Sequence, residues 1–542
     1  MTAHMSMYDF LFSKELDRDW QAIVYFNKRM TFGRFKERID NLAYFLNEKK
    51  SVGPGDNVVI CLPNIPHAAI AFYALNKCGA IGNIVHPMIS EYGLLNIIKK
   101  TNPKVIFLSD VFYDKYKAVL SDIDITVIIC RMAGFASVIY KLGIAYKAKK
   151  EKQPKIEYSD KVLRFTRTML RRGDVEVKTG GKDIAVYLHS GGTTGEAKTI
   201  VITNYAINAV AVNALTTFET TIDKDVAFMV LPLFHGYGLA INLHAFLSFG
   251  CRLVMVPKFN AKDAIRIIRR EGVTVMTGVP TMYEKLVAQK GFNRLNCKNF
   301  HLLICGGDNL SASLREKVDA KIRARGSKVR IIEGYGLTEV VAVAAVNTDK
   351  NYKTGSVGKP IIGVQAKIVD EDMTEQGCGE YGEILLSSQS LMEGYYNDPE
   401  TTQAVIITDE NGKRWLKTGD CGKIDEDGFI FFKDRIKRLI IVAGVNVFPS
   451  EIEDVVSKMT EIKMCCAVEG RTKEDKIVIK LFVVVNDDYK YNLTLENKIL
   501  KVCRENLIKF AVPGKVIAKD SLPVTQVGKV NYRQVMLMDD EE

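Results

Sequence analysis

Continuous apolar runs alternate with amphipathic stretches along roughly the first half of the chain. The apolar runs are rich in valine and isoleucine and end at turn residues, which is typical of strands buried on both faces of a parallel sheet. They lie at 57–63, 104–109, 125–130, 225–232, 251–257 and 273–280. Stretches with helical periodicity, such as 67–79 and 261–272, lie between them. The alternation predicts an α/β fold in which helices cover parallel-rich sheets.

The pattern changes after about residue 360, where shorter alternating runs are separated by turn residues such as Asp427-Gly428. Such a pattern favours antiparallel pairing in a subdomain of its own. Residues from 437 onward form a further compact α+β pattern. We therefore predict a large N-terminal domain over 1–435, with parallel-rich sheets and an antiparallel subdomain, and a small α+β C-terminal domain over 436–542.

Residues 226–251 form an uncharged stretch long enough to cross a bilayer. Polar residues and a proline interrupt it, namely Pro232, His235, Asn242 and His244. We therefore predict a buried strand, a loop and a buried helix here, and no membrane span.

The composition narrows the class of protein. The chain has 542 residues, of which 47% are hydrophobic and 26% charged, as is ordinary for a soluble protein with more than one domain. Eleven cysteines are scattered without a CxxC pair, and seven histidines are equally dispersed, which favours a reducing compartment and argues against zinc. The N-terminus lacks the apolar core of a signal peptide, so we expect a cytoplasmic protein.

The net charge of +11 is concentrated in one segment, since residues 131–182 contain fourteen basic and five acidic side chains. Within it five apolar residues recur at helical spacing, and lysines fall largely between them. The apolar residues are Phe135, Val138, Ile139, Leu142 and Tyr146, and the lysines are Lys141, Lys147, Lys149 and Lys150. Two interpretations stay open: a surface helix packed on its own domain, or a peripheral membrane contact. RNA-binding motifs with regularly placed aromatic residues are absent, so we predict no nucleic-acid partner.

A loop rich in glycine and hydroxyl residues, SGGTTGEAKT at 190–199, stands between two apolar runs. Glycines allow backbone N–H groups to approach an anion, and the hydroxyls and the lysine can complete a phosphate cradle. The loop does not match the P-loop motif, because two residues separate Gly195 from Lys198. A flexible turn between two strands is the alternative.

Five further motifs follow in order: LPLFHGYGL (231–239), EGYGLTE (333–339), WLKTGD (415–420), the stretch 432–453, and LPVTQVGKVNY (522–532). Each has an ordinary structural interpretation when it is taken alone, such as a turn, a core histidine or a solvated charge. Together with the glycine-rich loop, however, they resemble the motifs of the adenylate-forming enzymes, which include acyl-CoA ligases, luciferases and the adenylation domains of peptide synthetases. The resemblance covers essentially the whole chain.

The resemblance implies a role for residues at each motif. Those implied for the phosphates of ATP are Ser190, Gly191, Gly192, Thr193, Thr194, Gly195 and Lys198. Those implied for the rest of the nucleotide are Gly334 and Tyr335 at the adenine, Thr338 beside the α-phosphate, Glu339 on Mg²⁺, and Asp420 with Arg435 on the ribose. Those implied for the acid, the catalysis and CoA are His235 in the acyl pocket, Lys529 bridging the carboxylate and the α-phosphate, Lys437 at a hinge that lets the C-terminal domain rotate, and Gly444 beside the pantetheine arm.

The implied activity is that of an acyl-CoA ligase that uses ATP, Mg²⁺ and CoA to activate a hydrophobic carboxylic acid, with a medium- or long-chain fatty acid as the favoured class. Two residues depart from related sequences: Ile441 replaces a second lysine of luciferases, and Val445 replaces an aromatic residue common in fatty-acyl ligases. The first disfavours a light-emitting oxidase. An acyl-AMP ligase that loads a carrier protein, and a ligase for a bile or aromatic acid, stay open as alternatives.

Overall fold

The computed structural model describes residues 4–13, 16–150, 155–169, 172–189, 198–218, 221–443, 445–472, 476–524 and 530–538, with only the backbone at 147 and 148. The strands in these ranges are β1 Gln21–Tyr25, β2 Lys28–Thr31, β3 Asn57–Cys61, β4 Ile81–Ile84, β5 Val105–Ser109, β6 Thr126–Cys130, β7 Val162–Arg164, β8 Ile184–His189, β9 Thr199–Thr203, β10 Val226–Met229, β11 Arg252–Met255, β12 Val275–Gly278, β13 Leu302–Gly306, β14 Ile331–Tyr335, β15 Ala345–Val346, β16 Lys359–Pro360, β17 Val364–Val369, β18 Gly382–Ser388, β19 Gly394–Tyr395, β20 Ile406–Thr408, β21 Arg414–Ile424, β22 Ile430–Arg435, β23 Ile440–Val442, β24 Val445–Val447, β25 Ile462–Arg471, β26 Ile477–Val485 and β27 Lys515–Ala518. The α-helices are α1 Met7–Phe12, α2 Phe32–Lys50, α3 Pro66–Cys78, α4 Glu91–Thr101, α5 Tyr113–Ser121, α6 Val138–Lys150, α7 Phe165–Thr168, α8 Asn204–Thr217, α9 Phe246–Ser248, α10 Ala261–Glu271, α11 Pro280–Ala288, α12 Ala312–Arg323, α13 Pro399–Val405, α14 Pro449–Val456, α15 Leu493–Asn506 and α16 Tyr532–Met536.

Two large sheets form the first part of the chain. One has nine strands in the order β16-β15-β14-β13-β12-β10-β11-β1-β2, and the other has eight in the order β19-β9-β8-β4-β3-β5-β6-β7. The pairs from β14 to β1 and from β8 to β7 are parallel, and antiparallel strands extend the edges. The predicted apolar strands all lie in these sheets, which confirms the prediction of parallel-rich sheets.

The largest buried cluster lies between the two sheets. Helices α2, α3 and α8 contribute many of its side chains, together with residues of both sheets. Helix α3 is buried along its whole length: its middle, 68–75, is apolar throughout, and Asn76 and Lys77 near its end are buried with hydrogen-bond partners. Pro66 at its first turn and Gly79 after its last residue define its ends. The core therefore fixes the two sheets against each other.

The predicted antiparallel subdomain and small C-terminal domain are confirmed as parts of the fold, and the boundary between 435 and 436 stays a prediction. Strands β17, β18, β20, β21 and β22 form an antiparallel sheet. A small sheet of β25, β26 and β27 follows; the buried residues of its two clusters run from Val447 to Val535, and the half-buried Val442 packs against one of them.

The uncharged stretch at 226–251 folds as predicted into a strand, a loop and a helix. The strand is β10, and the helix is a π-helix over Tyr237–Ala245 that continues into α9. Among the described residues, no helix is both long and apolar enough to cross a membrane.

Helix α6 confirms the predicted basic helix, but it begins three residues after Phe135. Phe135 lies before the helix and packs against the buried ring of His67. The apolar residues Val138, Ile139, Leu142 and Tyr146 are exposed, so they do not pack on their own domain.

Asn64 connects the carboxyl ends of the two large sheets. It follows β3 in the eight-stranded sheet, and its buried side-chain amide donates to Leu231 O at 2.9 Å. Its Oδ1 accepts from Leu233 N at 3.2 Å. Both backbone groups belong to the loop that follows β10 in the other sheet, so this side chain holds the loop that leads to His235.

We expect Asn64→Ala to lower the free energy of unfolding by about 2–4 kcal/mol, because it leaves a buried carbonyl and a buried N–H group unpaired. Urea unfolding measures this change. As a matched control, Asn47→Ala removes a partly exposed amide that donates to Val52 O, and it should cost less than about 1 kcal/mol. Equal losses in the two variants would contradict the connecting role of Asn64.

Candidate active site

The EGYGLTE segment crosses from β14 into a strained turn. Thr338, Glu339 and Val340 form one turn of 3-10 helix, and Val341 follows with φ of 69° and ψ of −53°. Ala342 N donates to Val340 O at 2.9 Å, so Val341 is the central residue of a γ-turn of the rare positive-φ form. A β-branched residue in this region is disfavoured by sterics. The surrounding packing therefore holds the backbone beside Glu339 in a strained conformation.

Two glycines make room for this turn. A Cβ on Gly236 would lie 1.5 Å from Val341 O, and a Cβ on Gly336 would lie 1.8 Å from Ala342 O. Neither position can carry a larger residue unless the backbone moves. The close approach at Gly236 brings the segment that carries His235 directly against the turn that carries Glu339.

Glu339 lies beside the end of the glycine-rich loop. Tyr395 donates from its hydroxyl to Glu339 Oε1 at 3.0 Å, and Lys198 Nζ lies 4.7 Å from the centre of the Tyr395 ring. Burial raises the pKa of Tyr395, so the hydroxyl stays a neutral donor. The pairing of β19 with β9 produces this arrangement, because Tyr395 lies opposite Ile200. Two residues that the resemblance implies for ATP, Lys198 and Glu339, are thus brought together.

Asp420 is a fully buried carboxylate at the junction of three strands. Tyr335 donates to its Oδ2 at 2.5 Å, and Arg435 Nε lies 2.8 Å from its Oδ1. Burial and the neighbouring Asp420 raise the pKa of Tyr335 well above its ordinary value, so that hydroxyl also stays a donor. Arg435 is the register partner of Asp420 across β21 and β22. The three predicted nucleotide residues Tyr335, Asp420 and Arg435 therefore form one contact group.

A local irregularity in β21 directs Asp420 to this position. The register with β18 shifts between Glu383 and Leu385, which lie opposite Cys421 and Lys417. The extra residues on β21 bulge, and Gly419 takes a left-handed φ of 68° directly before Asp420. Bulges of this kind redirect a side chain. The glycine of the Thr-Gly-Asp sequence therefore allows the backbone conformation that turns Asp420 toward Tyr335 and Arg435.

The ring of Phe234 extends the site toward the other sheet. It lies 4.7 Å from the ring of His235 and 4.5 Å from the ring of His86, which follows β4. Burial lowers the pKa of His86, and Lys115 lowers it further. The ring of Phe234 therefore links His235 to His86.

The predicted hinge residue Lys437 lies in an exposed turn of 3-10 helix. This turn follows β22, the last strand of the antiparallel sheet, and precedes the C-terminal part of the chain. Its neighbour Asp434 is buried and accepts from Ser450 N at 3.0 Å, at the start of α14. Arg438 bonds to Glu453 Oε1 at 2.5 Å. In addition, Asn309 donates to Asp454 Oδ1 at 3.2 Å, which joins α14 to the loop after β13. Among the described residues, polar contacts therefore join α14 both to the end of β22 and to the loop after β13.

Some predicted site residues lie outside the described residues. They are Ser190, Gly191, Gly192, Thr193, Thr194, Gly195, Gly444 and Lys529. For these the sequence-based interpretation stays a prediction.

Tyr395 is the main site residue that the sequence analysis missed. It stands in the segment EGYYNDPE, 56 residues from Glu339 along the chain. Its only local signal is a tyrosine pair before Asp398, which caps α13. The contact with Glu339 depends on the β19–β9 pairing, which no spacing in the sequence predicts.

The described residues contain no group of three or more His, Cys, Asp and Glu side chains that could hold a metal ion. Mg²⁺ does not need such a group, because it keeps several waters and binds through one or two carboxylates together with phosphate oxygens. Glu339 next to Lys198 therefore fits a Mg²⁺ that arrives with a polyphosphate, and it does not fit a metal held by protein ligands alone.

Comparison with known proteins identifies the family to which the chain belongs. A family model described as AMP-binding enzyme matches residues 13–396, and one described as the AMP-binding enzyme C-terminal domain matches residues 451–529. The long-chain-fatty-acid–CoA ligase of Escherichia coli O157:H7 is 30% identical over 530 residues, which cover 95% of this chain and 91% of that protein. The enzyme of the same name from Bacillus subtilis is 28% identical over 96% of this chain and 92% of its own.

Solved structures share the fold. ATP-bound MatB from Rhodopseudomonas palustris has a TM-score of 0.85 at 24% identity and covers 99% of this chain and 98% of its own. The anthranilate CoA ligase AuaEII in complex with anthranoyl-AMP has a TM-score of 0.85 at 20% identity, with the same coverage. These likenesses confirm the predicted fold class.

Arg315 on α12 and Glu333 on β14 form a buried ion pair, and this pair makes the stability of the protein depend on pH. Arg315 Nη1 donates to Glu333 Oε2 at 2.9 Å, and burial raises the pKa of Glu333 to about 7 although Arg315 lowers it. The folded protein then holds this proton to a higher pH than the unfolded chain does. Stability from this group is full below the ordinary pKa of 4.5 and is lost as the pH rises through 7.

We expect the stability of the wild type, relative to Glu333→Gln, to fall by up to about 3 kcal/mol between pH 4.5 and 7. Urea unfolding across this range measures the difference, since glutamine does not titrate. The exposed Glu316 lies beside Arg315 on α12, and Glu316→Gln should leave the pH profile unchanged. A difference that is constant with pH, or that rises, would contradict the shift.

Proposed function

This chain belongs to the family of AMP-binding enzymes, and from that membership we propose that it is an acyl-CoA ligase for a long-chain fatty acid. The carboxylate of the acid attacks the α-phosphorus of ATP, the bond to pyrophosphate breaks, and acyl-AMP forms. The thiolate of CoA then attacks the acyl carbon, and AMP leaves. The relatives that bear the name long-chain-fatty-acid–CoA ligase support this substrate class.

The observation that carries the proposal is the arrangement around β14. Its carboxyl end places Tyr335 on Asp420, and four residues later Glu339 lies beside Tyr395 and Lys198. The first group suits a ribose, because a carboxylate can accept from sugar hydroxyls. The second suits the phosphates, because it offers an ammonium group and a hard oxygen ligand. One nucleotide laid along this turn would use both groups.

Each residue has a role in the proposed reaction. Asp420 accepts from the ribose once the half-exposed Arg435 shifts, since the carboxylate is covered in the observed state. Lys198, with Thr193 and Thr194, binds the departing pyrophosphate. Glu339 would hold Mg²⁺, which neutralises phosphate charge when it is bound. Thr338 lies at the same turn and contacts the α-phosphate, and Gly334 leaves room for the adenine beside Tyr335.

The acid and the thiol use the remaining groups. His235 orients the carboxylate in the acyl pocket, and Lys529 stabilises the charge that develops between the carboxylate and the α-phosphate. For the second step we propose that the C-terminal domain, 436–542, rotates about Lys437 relative to 1–435. Gly444 then faces the pantetheine arm of CoA. Such a rotation would break hydrogen bonds that join α14 to 1–435, among them those from Asn309 to Asp454 Oδ1 and from Ser450 N to Asp434 Oδ2.

We also propose a cytoplasmic location and a peripheral membrane contact through 131–182. All eleven cysteines are free thiols, and most are buried, which suits a reducing compartment. The basic segment carries an exposed apolar helix, and this combination favours a membrane surface.

The experiment that tests the function is pyrophosphate release with ATP, Mg²⁺ and a panel of acids: saturated fatty acids of increasing length, an aromatic acid and a bile acid. We expect the highest kcat/KM for a long-chain fatty acid, and thioester formation with CoA. Glu339→Gln should lower kcat about 100-fold, the scale for losing one group that stabilises transition-state charge. The exposed Glu316→Gln should leave kcat unchanged.

Three results would contradict the proposal in different ways. Release with none of the acids would exclude adenylation. A preference for the aromatic or bile acid would overturn the substrate class. Acyl transfer to a phosphopantetheinylated carrier protein but not to CoA would identify the acceptor as a protein.

A further inference from the structure

Helix α6 exposes an apolar arc to solvent. The exposed fractions of Val138, Ile139, Leu142 and Tyr146 are 71%, 81%, 67% and 73%. At 100° per residue these four side chains lie within an arc of roughly 100° on one side of the helix. An apolar surface of this kind marks an interaction site on an otherwise polar protein.

The opposite side of α6 attaches it to the body of the protein. The ring of Tyr140 stacks on the ring of Phe26 at 5.1 Å, and Ser137 N, just before the helix, donates to Phe26 O at 3.1 Å. Tyr140 and the half-buried Ile144 are one helical turn apart, and they lie opposite the apolar arc. The helix is therefore anchored by one side and presents its apolar side outward.

Basic residues border the arc. Lys141 and Lys150 are exposed on either side of it, Lys149 is exposed about one turn beyond Tyr146 at its C-terminal end, and Arg131 is exposed seven residues before the helix. The segment 137–150, which contains the whole of α6, has no acidic residue. An apolar arc flanked by lysines matches the interface of an anionic bilayer, where the arc enters the acyl region and the lysines meet the head groups.

α6 lies at the carboxyl edge of the eight-stranded sheet, and this edge carries further exposed apolar residues. α6 follows the carboxyl end of β6, and Val111, Met88 and Tyr92 follow the carboxyl ends of β5 and β4. The strand order β4-β3-β5-β6 places these ends along one line. Lys115 donates to Met88 O at 3.2 Å and so keeps a positive charge on this edge.

This edge lies next to the proposed acyl site. His86 is two residues before Met88, and its ring contacts Phe234, the neighbour of His235. A surface that rests on lipid at Met88 and Tyr92 would therefore lie close to the pocket for the acyl chain.

We infer that the carboxyl edge of the eight-stranded sheet, with the apolar arc of α6 as its main anchor, docks on an anionic phospholipid bilayer. The delivery of a fatty acid from that bilayer toward His235 rests on the proposed function, but the docking itself does not. A second copy of the chain is a poorer occupant of the arc, because a twofold contact between two α6 helices would set their lysines against each other.

Vesicle co-sedimentation tests the docking. The full chain should bind vesicles that contain phosphatidylglycerol, and it should bind pure phosphatidylcholine vesicles much less. Changing the arc to serine, in V138S, I139S, L142S and Y146S, should weaken binding at least about tenfold. Changing Lys141, Lys149 and Lys150 to glutamine should weaken binding to the anionic vesicles on the order of 100-fold.

Matched controls use exposed residues elsewhere. Y489S with L493S removes apolar surface from the C-terminal part, and glutamine at Lys298, Lys317 and Lys328 removes the same charge from another face. Both control variants should bind as the wild type does. As an independent readout, Tyr146→Trp should be quenched by lipids brominated on their acyl chains, whereas Tyr489→Trp should not.

The outcomes separate the two proposals. Pyrophosphate release with a short, water-soluble acid should be equal in the wild type and both α6 variants. Activity without vesicle binding, or equal binding by the arc variant, overturns the docking and leaves the proposed function intact. Vesicle binding without activity on any acid leaves the docking intact and overturns the function. A dimer in solution that the arc variant abolishes overturns the lipid assignment in favour of self-association.

Discussion

The buried carboxylate of Asp420 is the interaction on which the proposed site depends. It has no exposed surface, and its partners Tyr335 and Arg435 come from β14 and β22, in two different sheets. Taking a carboxylate out of water costs several kcal/mol unless hydrogen bonds and an opposite charge compensate it. The three residues therefore need one another, and their contact fixes how the antiparallel sheet meets the carboxyl end of β14. Because Glu339 follows Tyr335 by four residues, the same contact also positions the strained turn that faces His235.

The sequence predicted the parts of the fold that depend on local pattern. The apolar strands such as 125–130, the change to antiparallel pairing after 360 and a basic helix within 131–182 follow from periodicity and turn residues, and the structure confirms them. It did not predict the γ-turn at Val341, because its cause is the approach of Gly236 from a distant loop. For the same reason it missed Tyr395 and Asn64, whose partners are set by strand pairing and sheet packing. The resemblance implied that Asp420 and Arg435 act together on the ribose and that Tyr335 lies at the adenine, but not that Tyr335 contacts Asp420.

The two large sheets contribute different parts of the proposed site. The nine-stranded sheet supplies β14 and the loop with His235, whereas the eight-stranded sheet supplies Lys198 at the start of β9 and the apolar edge that ends in α6. Asn64 joins the carboxyl ends of the two sheets, where the proposed nucleotide groups and the proposed lipid-facing edge lie. The C-terminal part is joined to the rest of the chain by hydrogen bonds that α14 forms with Asp434 and with Asn309.

The most direct test of this account is the dependence of pyrophosphate release on ATP in Asp420→Asn, measured beside Tyr335→Phe, which keeps the carboxylate. Circular dichroism confirms that each variant is folded. If Asp420 binds the ribose, its amide variant should raise the KM for ATP at least about tenfold, a loss of about 1.4 kcal/mol, while the KM for the acid stays nearly constant. Tyr335→Phe should change the KM for ATP less. An unchanged KM for ATP in Asp420→Asn, or an equal rise in the KM for the acid, would contradict the assignment of this cluster to the nucleotide.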